Sequence, residues 1–185
     1  MAKHSKKYRM NNNYHKSLHK DTTSASIQLI ELINDPILVG EVGQLLKEYG
    51  NYMYGELGLL AGKETFFKEL KNFPGPGYLP PSGTFEVVKV GGIVAGCVGI
   101  KKFDEESCEM KRMYIRPAYR GKGIGRLLCG HVIEWCLKSM YRRILLDTNA
   151  EMKEAVLLYH KCGFREIAPY CINENDHPVY MEYTL

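Results

Sequence analysis

A glycine-rich, positively charged segment precedes a helical pattern in the second half of the chain. Residues 119–128 read YRGKGIGRLL, with Pro117 before them and apolar residues at helical spacing after them. Proline favours the end of a strand here, so we expect a strand, a loop and then a helix. The first N–H groups of a helix have no intrahelical partners and bind anions together with the helix dipole. The segment predicts a phosphate or pyrophosphate site with Arg120, Lys122 and Arg126 as its cations.

Two familiar phosphate-binding loops do not fit this segment. A P-loop needs a hydroxyl residue after its lysine, and Lys122 is followed by Gly123. A dinucleotide-binding loop needs G-x-G-x-x-G, but its last position is Arg126 when counted from Gly121 and Leu128 when counted from Gly123. The glycines are also compatible with a tight turn and close helix packing, and the cations with a solvated surface.

Composition and charge limit the class of protein. The chain has 185 residues, of which 45% are hydrophobic and 25% charged, as expected for one globular domain. No apolar run is long enough to cross a bilayer, and no secretory signal is evident, so we expect a cytoplasmic protein with no membrane partner.

The net charge of +4 is concentrated at the N-terminus. Residues 1–24 hold six basic side chains and one acidic one, which leaves residues 25–185 near neutrality. We predict a basic disordered tail over residues 1–24 and one folded domain over residues 25–185. A nucleic-acid partner is disfavoured for the domain, while a targeting role or a nucleic-acid contact of the tail stays open.

The six cysteines show neither a C-x-x-C pair nor zinc-type spacing. Scattered thiols with apolar neighbours are typical of a reducing compartment. The sequence therefore predicts neither a disulfide nor a metal site.

The pattern of apolar residues, prolines and glycines predicts a mixed α/β (α+β) fold with a single domain. An antiparallel meander is followed by strand, helix, strand and helix. The expected strands are 26–33, 84–90, 93–103, 108–115, 143–147, 164–167 and 179–183, with a Gly91-Gly92 hairpin turn. The expected helices are 35–60, 63–72, 123–140 and 152–161, and residues 73–83, rich in proline and glycine, form a long loop.

The residues around the glycine-rich loop resemble a known family. MYIRPAYRGKGIGRLL, residues 113–128, resembles motif A of the Gcn5-related N-acetyltransferase (GNAT) superfamily, Arg/Gln-x-x-Gly-x-Gly/Ala. AVLLYHKCGFREI, residues 155–167, is similar to motif B of the same superfamily. The resemblance covers about residues 26–185. The segments PGPGYLPPSG, GFREIAPY and VYMEY also resemble a bacterial subgroup known only as acetyltransferases.

The resemblance implies that acetyl-CoA, the acyl donor, binds between two splayed parallel strands, 108–115 and 143–147. In such proteins the pantetheine pairs with the backbone of the first strand, and the pyrophosphate lies on the loop that follows. The implied cofactor-binding residues are Met113, Tyr114, Ile115, Arg120, Gly121, Lys122, Gly123, Ile124, Gly125 and Arg126. One position departs from the pattern, because Met152 stands where many relatives have an asparagine that contacts the cofactor, and Asn149 is a candidate substitute.

Acyl transfer to an amine requires a base, a stabilised carbonyl oxygen and a proton for the departing sulfur. Glu109 lies eleven residues before Arg120, which is the spacing of the glutamate base in histone acetyltransferases of this superfamily. Backbone N–H groups near Tyr114 and Ile115 are expected to polarise the carbonyl. Tyr159 matches the motif B tyrosine that protonates the CoA sulfur. Glu109 alternatively pairs with Lys111 only, and Tyr159 alternatively serves packing.

The leading hypothesis is an N-acetyltransferase that moves acetyl from acetyl-CoA to a primary amine of a small molecule or peptide by direct attack. A CoA-binding sensor without turnover is the alternative, and a covalent route through Cys97 or Cys108 is less favoured. The acceptor is expected between the helices of residues 35–72, the loop 73–83 and the segment 169–183, which contribute Tyr78, Tyr170 and Tyr180. A homodimer is left open.

Overall fold

The computed structural model describes residues 26–32 and 35–185. These residues form one seven-stranded sheet with strand order β1-β2-β3-β4-β5-β7-β6 and helices on both faces. The strands are β1 (Ile27–Glu31), β2 (Gly83–Val90), β3 (Ile93–Lys102), β4 (Ser107–Ile115), β5 (Arg143–Asn149), β6 (Arg165–Glu166) and β7 (Pro178–Thr184). The helices are α1 (Pro36–Asn51), α2 (Lys63–Lys71), α3 (Ile124–Lys138) and α4 (Lys153–Cys162). The predicted mixed α/β fold class is confirmed.

Strands β1 to β4 form the predicted antiparallel meander. Gly91 and Gly92 join β2 to β3, and both have positive φ, 58° and 82°. A two-residue turn of this handedness matches the right-handed twist of the strands, and glycine adopts it without a steric penalty. The hairpin signal in the sequence therefore identified the turn correctly.

The parallel contact between β4 and β5 is short. Pairing covers Ser107 with Arg143, Cys108 with Ile144 and Glu109 with Leu145, and it stops there. Beyond this point β5 pairs along its whole length with β7, on its other edge. The two parallel strands thus separate and leave a gap in the middle of the sheet, as predicted.

Apolar side chains fill both faces of the sheet. On one face α3 contributes Leu128, Val132 and Cys136, which are fully buried. On the other face α1 and α2 contribute a second core with Val42 and Phe66. Each helix has an apolar stripe at 3.6-residue spacing, and burial of that stripe holds it on the sheet.

Helix α1 begins where the sequence predicts and ends earlier than predicted. Asp35 caps α1 by accepting hydrogen bonds from the N–H groups of Ile37 and Leu38 at 3.0 and 3.1 Å, as a helix N-cap does. The α-helix ends at Asn51 and continues as a π-helical turn, Tyr52–Glu56, so the helical region stops before the predicted residue 60.

The predicted tail, residues 1–24, lies outside the described residues. Within those residues, no helix has the length and apolar character to span a membrane.

Leu128 provides a test of the core on the α3 face. Replacing this fully buried side chain by alanine removes apolar contacts and leaves a cavity, which costs about 2–5 kcal/mol of unfolding free energy. Urea denaturation of Leu128→Ala is expected to show this loss as a lower midpoint. Leu157→Ala is the matched control, because Leu157 on α4 is 54% exposed, and its midpoint is expected to stay close to the wild-type value. Equal midpoints for the two variants would contradict the placement of α3.

Candidate active site

A cleft of about 470 Å³ opens where β4 and β5 separate. Residues 110–113 of β4 form one wall and residues 146–149 of β5 form the other. Side chains from α1, the π-helical turn and α2 cover one side, and residues 172–175 close the opposite side. The Asn175 side chain accepts hydrogen bonds from the N–H groups of Leu60 and Ala61 at 3.2 and 3.0 Å, so these two sides meet at the mouth of the cleft.

A bulge in β4 shapes the first wall. The register passes from Cys97 with Tyr114 to Gly99 with Lys111, so two residues of β4, Arg112 and Met113, lie opposite one residue of β3. Arg112 has φ of 58°, a backbone conformation that is unusual for a residue other than glycine. As a result both Lys111 and Arg112 line the cleft, although strict alternation would place them on opposite faces.

Glu109 lies next to the cleft in a network of charges. It is 8% exposed, and its Oε1 accepts a hydrogen bond of 2.8 Å from the Tyr170 hydroxyl. The Lys111 ammonium lies 3.0 Å from the same oxygen and 3.1 Å from Oδ1 of Asp147. Asn173 donates to the other oxygen of Asp147 at 2.9 Å. The network therefore joins β4, β5 and the segment after β6.

The charge state of Lys111 follows from this network. Burial lowers the pKa of Lys111, but the carboxylates of Asp147 and Glu109 outweigh burial and raise the pKa above its ordinary value. Lys111 is therefore protonated near neutral pH, and it reduces the repulsion between the two carboxylates.

Cys171, Glu109 and Asp147 form a cluster of side chains whose atoms could bind a metal ion. The Cys171 Sγ and the carboxylate oxygens of Glu109 and Asp147 all lie within 4.8 Å of one another. However, burial raises the pKa of the Cys171 thiol, whereas a metal binds the thiolate. The Lys111 ammonium already pairs with both carboxylates. The arrangement therefore favours an ammonium group as the partner of these carboxylates.

Tyr159 enters the cleft from α4. The side chain lines the cleft and is 7% exposed. Burial raises the pKa of Tyr159 well above its ordinary value, so the hydroxyl keeps its proton over the whole physiological range. None of the hydrogen bonds among residues 26–32 and 35–185 involves this hydroxyl, which suits a group that donates a proton to a bound molecule.

The glycine-rich loop separates into two kinds of glycine. Gly121 and Gly123 have φ of 73° and 81°, and a Cβ atom added at either would meet nothing within 4 Å. Gly125 is different, since its added Cβ would lie 2.7 Å from Leu158 of α4. Gly121 and Gly123 thus leave bare backbone at the start of α3, while Gly125 permits the close packing of α3 on α4.

The cations of the loop also differ in their surroundings. Nε of Arg120 donates to the carbonyl of Ile115 at 3.1 Å, and the guanidinium lies 5.2 Å from the ring centre of Tyr52. Arg120 thereby connects the loop to the end of β4. Lys122 and Arg126 are exposed, and the side chain of Ile124 is buried in the core, so Ile124 can offer a ligand only its backbone.

Asn149 is largely committed to other contacts. It is buried, its Oδ1 accepts from the N–H of Glu151 at 2.9 Å, and its Nδ2 donates to the carbonyl of Asp176. Asn149 therefore holds the segment that closes the cleft. This role counts against its use as the substitute for the asparagine that Met152 replaces.

The predicted site residues lie in three places. Met113 and Tyr159 line the cleft, and Glu109 lies next to it. Tyr114 is buried against the ring of Tyr49, with ring centres 5.2 Å apart, so only its backbone is available to a ligand. Ile115 is the last residue of β4, and residues 120–126 form the loop before α3 and its first residues.

Sequence reasoning missed Asp147 and Arg112. The polar end of β5, Asp147-Thr148-Asn149, was an available signal, since polar groups at the carboxyl end of a parallel strand often belong to a site. No signal in the sequence indicated the bulge that turns Arg112 into the cleft.

The fold and the cleft define a class of protein, the CoA-dependent acyltransferases with a split mixed sheet. Comparison with known proteins agrees with this class. The acetyltransferase (GNAT) family matches residues 48–164, and the chain therefore belongs to that family. The family identifies the protein as an acetyl-CoA-dependent acyltransferase.

A relative supports the same identification, and solved structures show the same fold. An uncharacterised N-acetyltransferase of Schizosaccharomyces pombe is 34% identical over 161 residues, which cover 86% of this chain and 94% of the relative. An acetyltransferase structure from Streptococcus agalactiae has a TM-score of 0.71 at 22% identity and covers 86% of this chain and 98% of its own. A GNAT family acetyltransferase from Elizabethkingia anophelis, solved with acetyl-CoA bound, has a TM-score of 0.59 at 20% identity, with coverage of 86% and 98%.

Arg120→Ala tests the pyrophosphate assignment. Removal of the guanidinium is expected to weaken CoA binding about 10- to 100-fold, because hydrogen bonds to charged groups contribute about 1.5–3 kcal/mol. Isothermal titration calorimetry measures the change. Arg165→Ala, which removes an exposed arginine from β6, is the control and is expected to bind CoA like the wild type. Unchanged affinity in Arg120→Ala would exclude Arg120 from the site.

Proposed function

We propose that the protein transfers acetyl from acetyl-CoA to a primary amine of a small molecule or peptide, by direct attack in a ternary complex. The observation that carries the proposal is the cleft itself, which adjoins a buried carboxylate network and is lined by a tyrosine that keeps its proton. These are the two proton-transfer groups that aminolysis of a thioester needs, and both belong to the same cavity or its immediate surroundings.

The cofactor is expected to follow the gap in the sheet. The backbone edge of β4 beyond Glu109 has no partner strand on the β5 side, so Met113, Tyr114 and Ile115 offer hydrogen-bonding groups to the pantetheine. The pyrophosphate then reaches the start of α3, where Gly121 and Gly123 leave backbone N–H groups accessible. The thioester is placed inside the cleft by this path.

The reaction follows from the groups around the cleft. The amine nitrogen attacks the thioester carbon, an N–C bond forms, and the C–S bond breaks. Glu109 takes the proton from the amine, directly or through a water molecule, and Tyr159 gives its proton to the departing sulfur. Backbone N–H groups near Tyr114 and Ile115 stabilise the developing charge on the carbonyl oxygen.

The covalent cysteine route receives no support. Burial raises the pKa of Cys97 to about 12, so its thiol is protonated and a poor nucleophile. Both Cys97 and Cys108 are fully buried, and neither lines the cleft.

An assay of thiol release from acetyl-CoA with a panel of amines tests the function. Release that depends on an amine, with the acetylated product detected by mass spectrometry, is the expected result. Tight CoA binding without release under any amine favours the sensor instead. Release of thiol without any amine would indicate hydrolysis and would also contradict the proposal.

Glu109→Gln tests the base. Glutamine has the same shape and still accepts the hydrogen bond from Tyr170, but it cannot take a proton, so kcat is expected to fall by at least about 10²-fold. CoA affinity is expected to stay within about twofold of the wild type. Glu166→Gln on exposed β6 is the control for loss of one negative charge. Full activity in Glu109→Gln would leave Glu109 with only its structural pairing to Lys111.

Tyr159→Phe tests the acid. Loss of the hydroxyl is expected to lower kcat about 10²-fold for acetyl-CoA. A thioester whose thiol has a much lower pKa needs no proton on departure, so the variant's deficit is expected to shrink with such a donor. Tyr183→Phe is a matched control, because both tyrosine rings contact Phe164 while Tyr183 does not line the cleft. An equal deficit with both donors would assign Tyr159 to packing.

A further inference from the structure

Two charge clusters of opposite sign lie side by side on the cleft. The anionic cluster consists of Glu109, Asp147 and Lys111, in which two carboxylates share one ammonium. The cationic cluster consists of Lys101, Arg112 and Glu69, in which two cations share one carboxylate. Each cluster therefore keeps one unbalanced charge, negative in the first and positive in the second.

Members of both clusters line the cleft. Asp147 and Lys111 do so for the anionic cluster, and Glu174 adds a further negative charge to the lining. Arg112 represents the cationic cluster, since Lys101 lies over the ring of Tyr78, 4.1 Å from its centre, and does not line the cleft. The bulge in β4 makes the two clusters neighbours, because Lys111 and Arg112 are consecutive residues that both face the cleft.

The Arg112 guanidinium has N–H groups without a hydrogen-bond acceptor among the described residues. Its Nη2 pairs with Glu69, and its guanidinium lies 4.7 Å from the centre of the Phe66 ring. Among the residues that the structure describes, no other group accepts a hydrogen bond from this guanidinium. Burial raises the pKa of Glu69, but Arg112 and Lys101 outweigh burial and lower the pKa to about 2, so Glu69 stays ionised and its single charge is divided between two cations.

We infer that the acceptor is an amino acid, a molecule that carries a carboxylate together with its primary amine. The carboxylate binds Arg112, whose planar guanidinium can hold both oxygens. The amine lies toward Glu109 and Asp147, where the excess negative charge attracts its ammonium form. The ammonium releases one proton to solvent before attack, and Glu109 takes the second as the N–C bond forms. This inference rests on the proposed function and adds Arg112 as the residue that determines acceptor specificity.

Matched pairs of acceptors test the inference in the wild-type enzyme. Each amino acid of a panel is compared with its methyl ester, at equal concentrations of unprotonated amine, by thiol release from acetyl-CoA. The free carboxylate is expected to lower KM at least about tenfold relative to the ester, with similar kcat. Esters or simple alkylamines that react as well as the amino acids would overturn the inference while leaving the proposed function intact.

Variants assign the preference to Arg112. Arg112→Met is expected to abolish the difference between acid and ester by raising KM for the acid alone, and Arg112→Lys to keep part of it. Lys68→Met removes an exposed cation from α2 and is expected to retain the full preference. A full preference in Arg112→Met would exclude Arg112.

Binding separates the two possible failures. If no acceptor gives thiol release, the proposed transfer is wrong. Calorimetry of the same acid and ester pairs on the CoA-loaded protein still shows whether Arg112 binds a carboxylate. Tighter binding of acids that depends on Arg112 supports that site, and equal binding of acids and esters overturns it.

Discussion

The site depends on one constraint in the sheet, the early end of pairing between two parallel strands. β4 and β5 share three residue pairs and then diverge, because β5 stays paired with β7 while β4 stays paired with β3. A continuous sheet would satisfy its backbone groups internally and leave no opening. The divergence produces both the cleft and an unpaired strand edge, so it supplies space and hydrogen-bonding groups for an extended ligand at the same point.

The bulge in β4 decides which side chains this opening receives. Without it, Lys111 and Arg112 would point to opposite faces of the sheet. The positive φ at Arg112 is a local cost, and contacts with α2 offset it through the ion pair to Glu69 and the position of the guanidinium over Phe66. Helix α2 therefore does more than cover the sheet, since it holds a strained strand residue in the cleft.

Buried charges around the cleft are balanced in an alternating arrangement. Lys111 links the carboxylates of two diverging strands, and Glu69 links two cations from neighbouring strands. Removal of any member would leave a buried charge with less compensation, which is costly in a region of low dielectric constant. The segment after β6 adds Tyr170 and Asn173 to this arrangement, so the segment that closes the cleft is also hydrogen-bonded to its carboxylates.

The sequence by itself determined the order of elements, because that order depends on local periodicity and on turn residues such as Gly91-Gly92. It also indicated the loop before α3, since glycines at positions 121 and 123 allow positive φ and leave the backbone without side chains there. Resemblance to a family added Glu109 and Tyr159. Only the tertiary structure decided that Asp147 and Arg112 line one cleft and that Tyr170 binds Glu109 beside it, because these residues lie far apart in the chain. The divergence of the strands and the bulge depend on how each strand pairs with its neighbours in the sheet. A local sequence pattern does not contain this information, because the paired residues are distant in the chain.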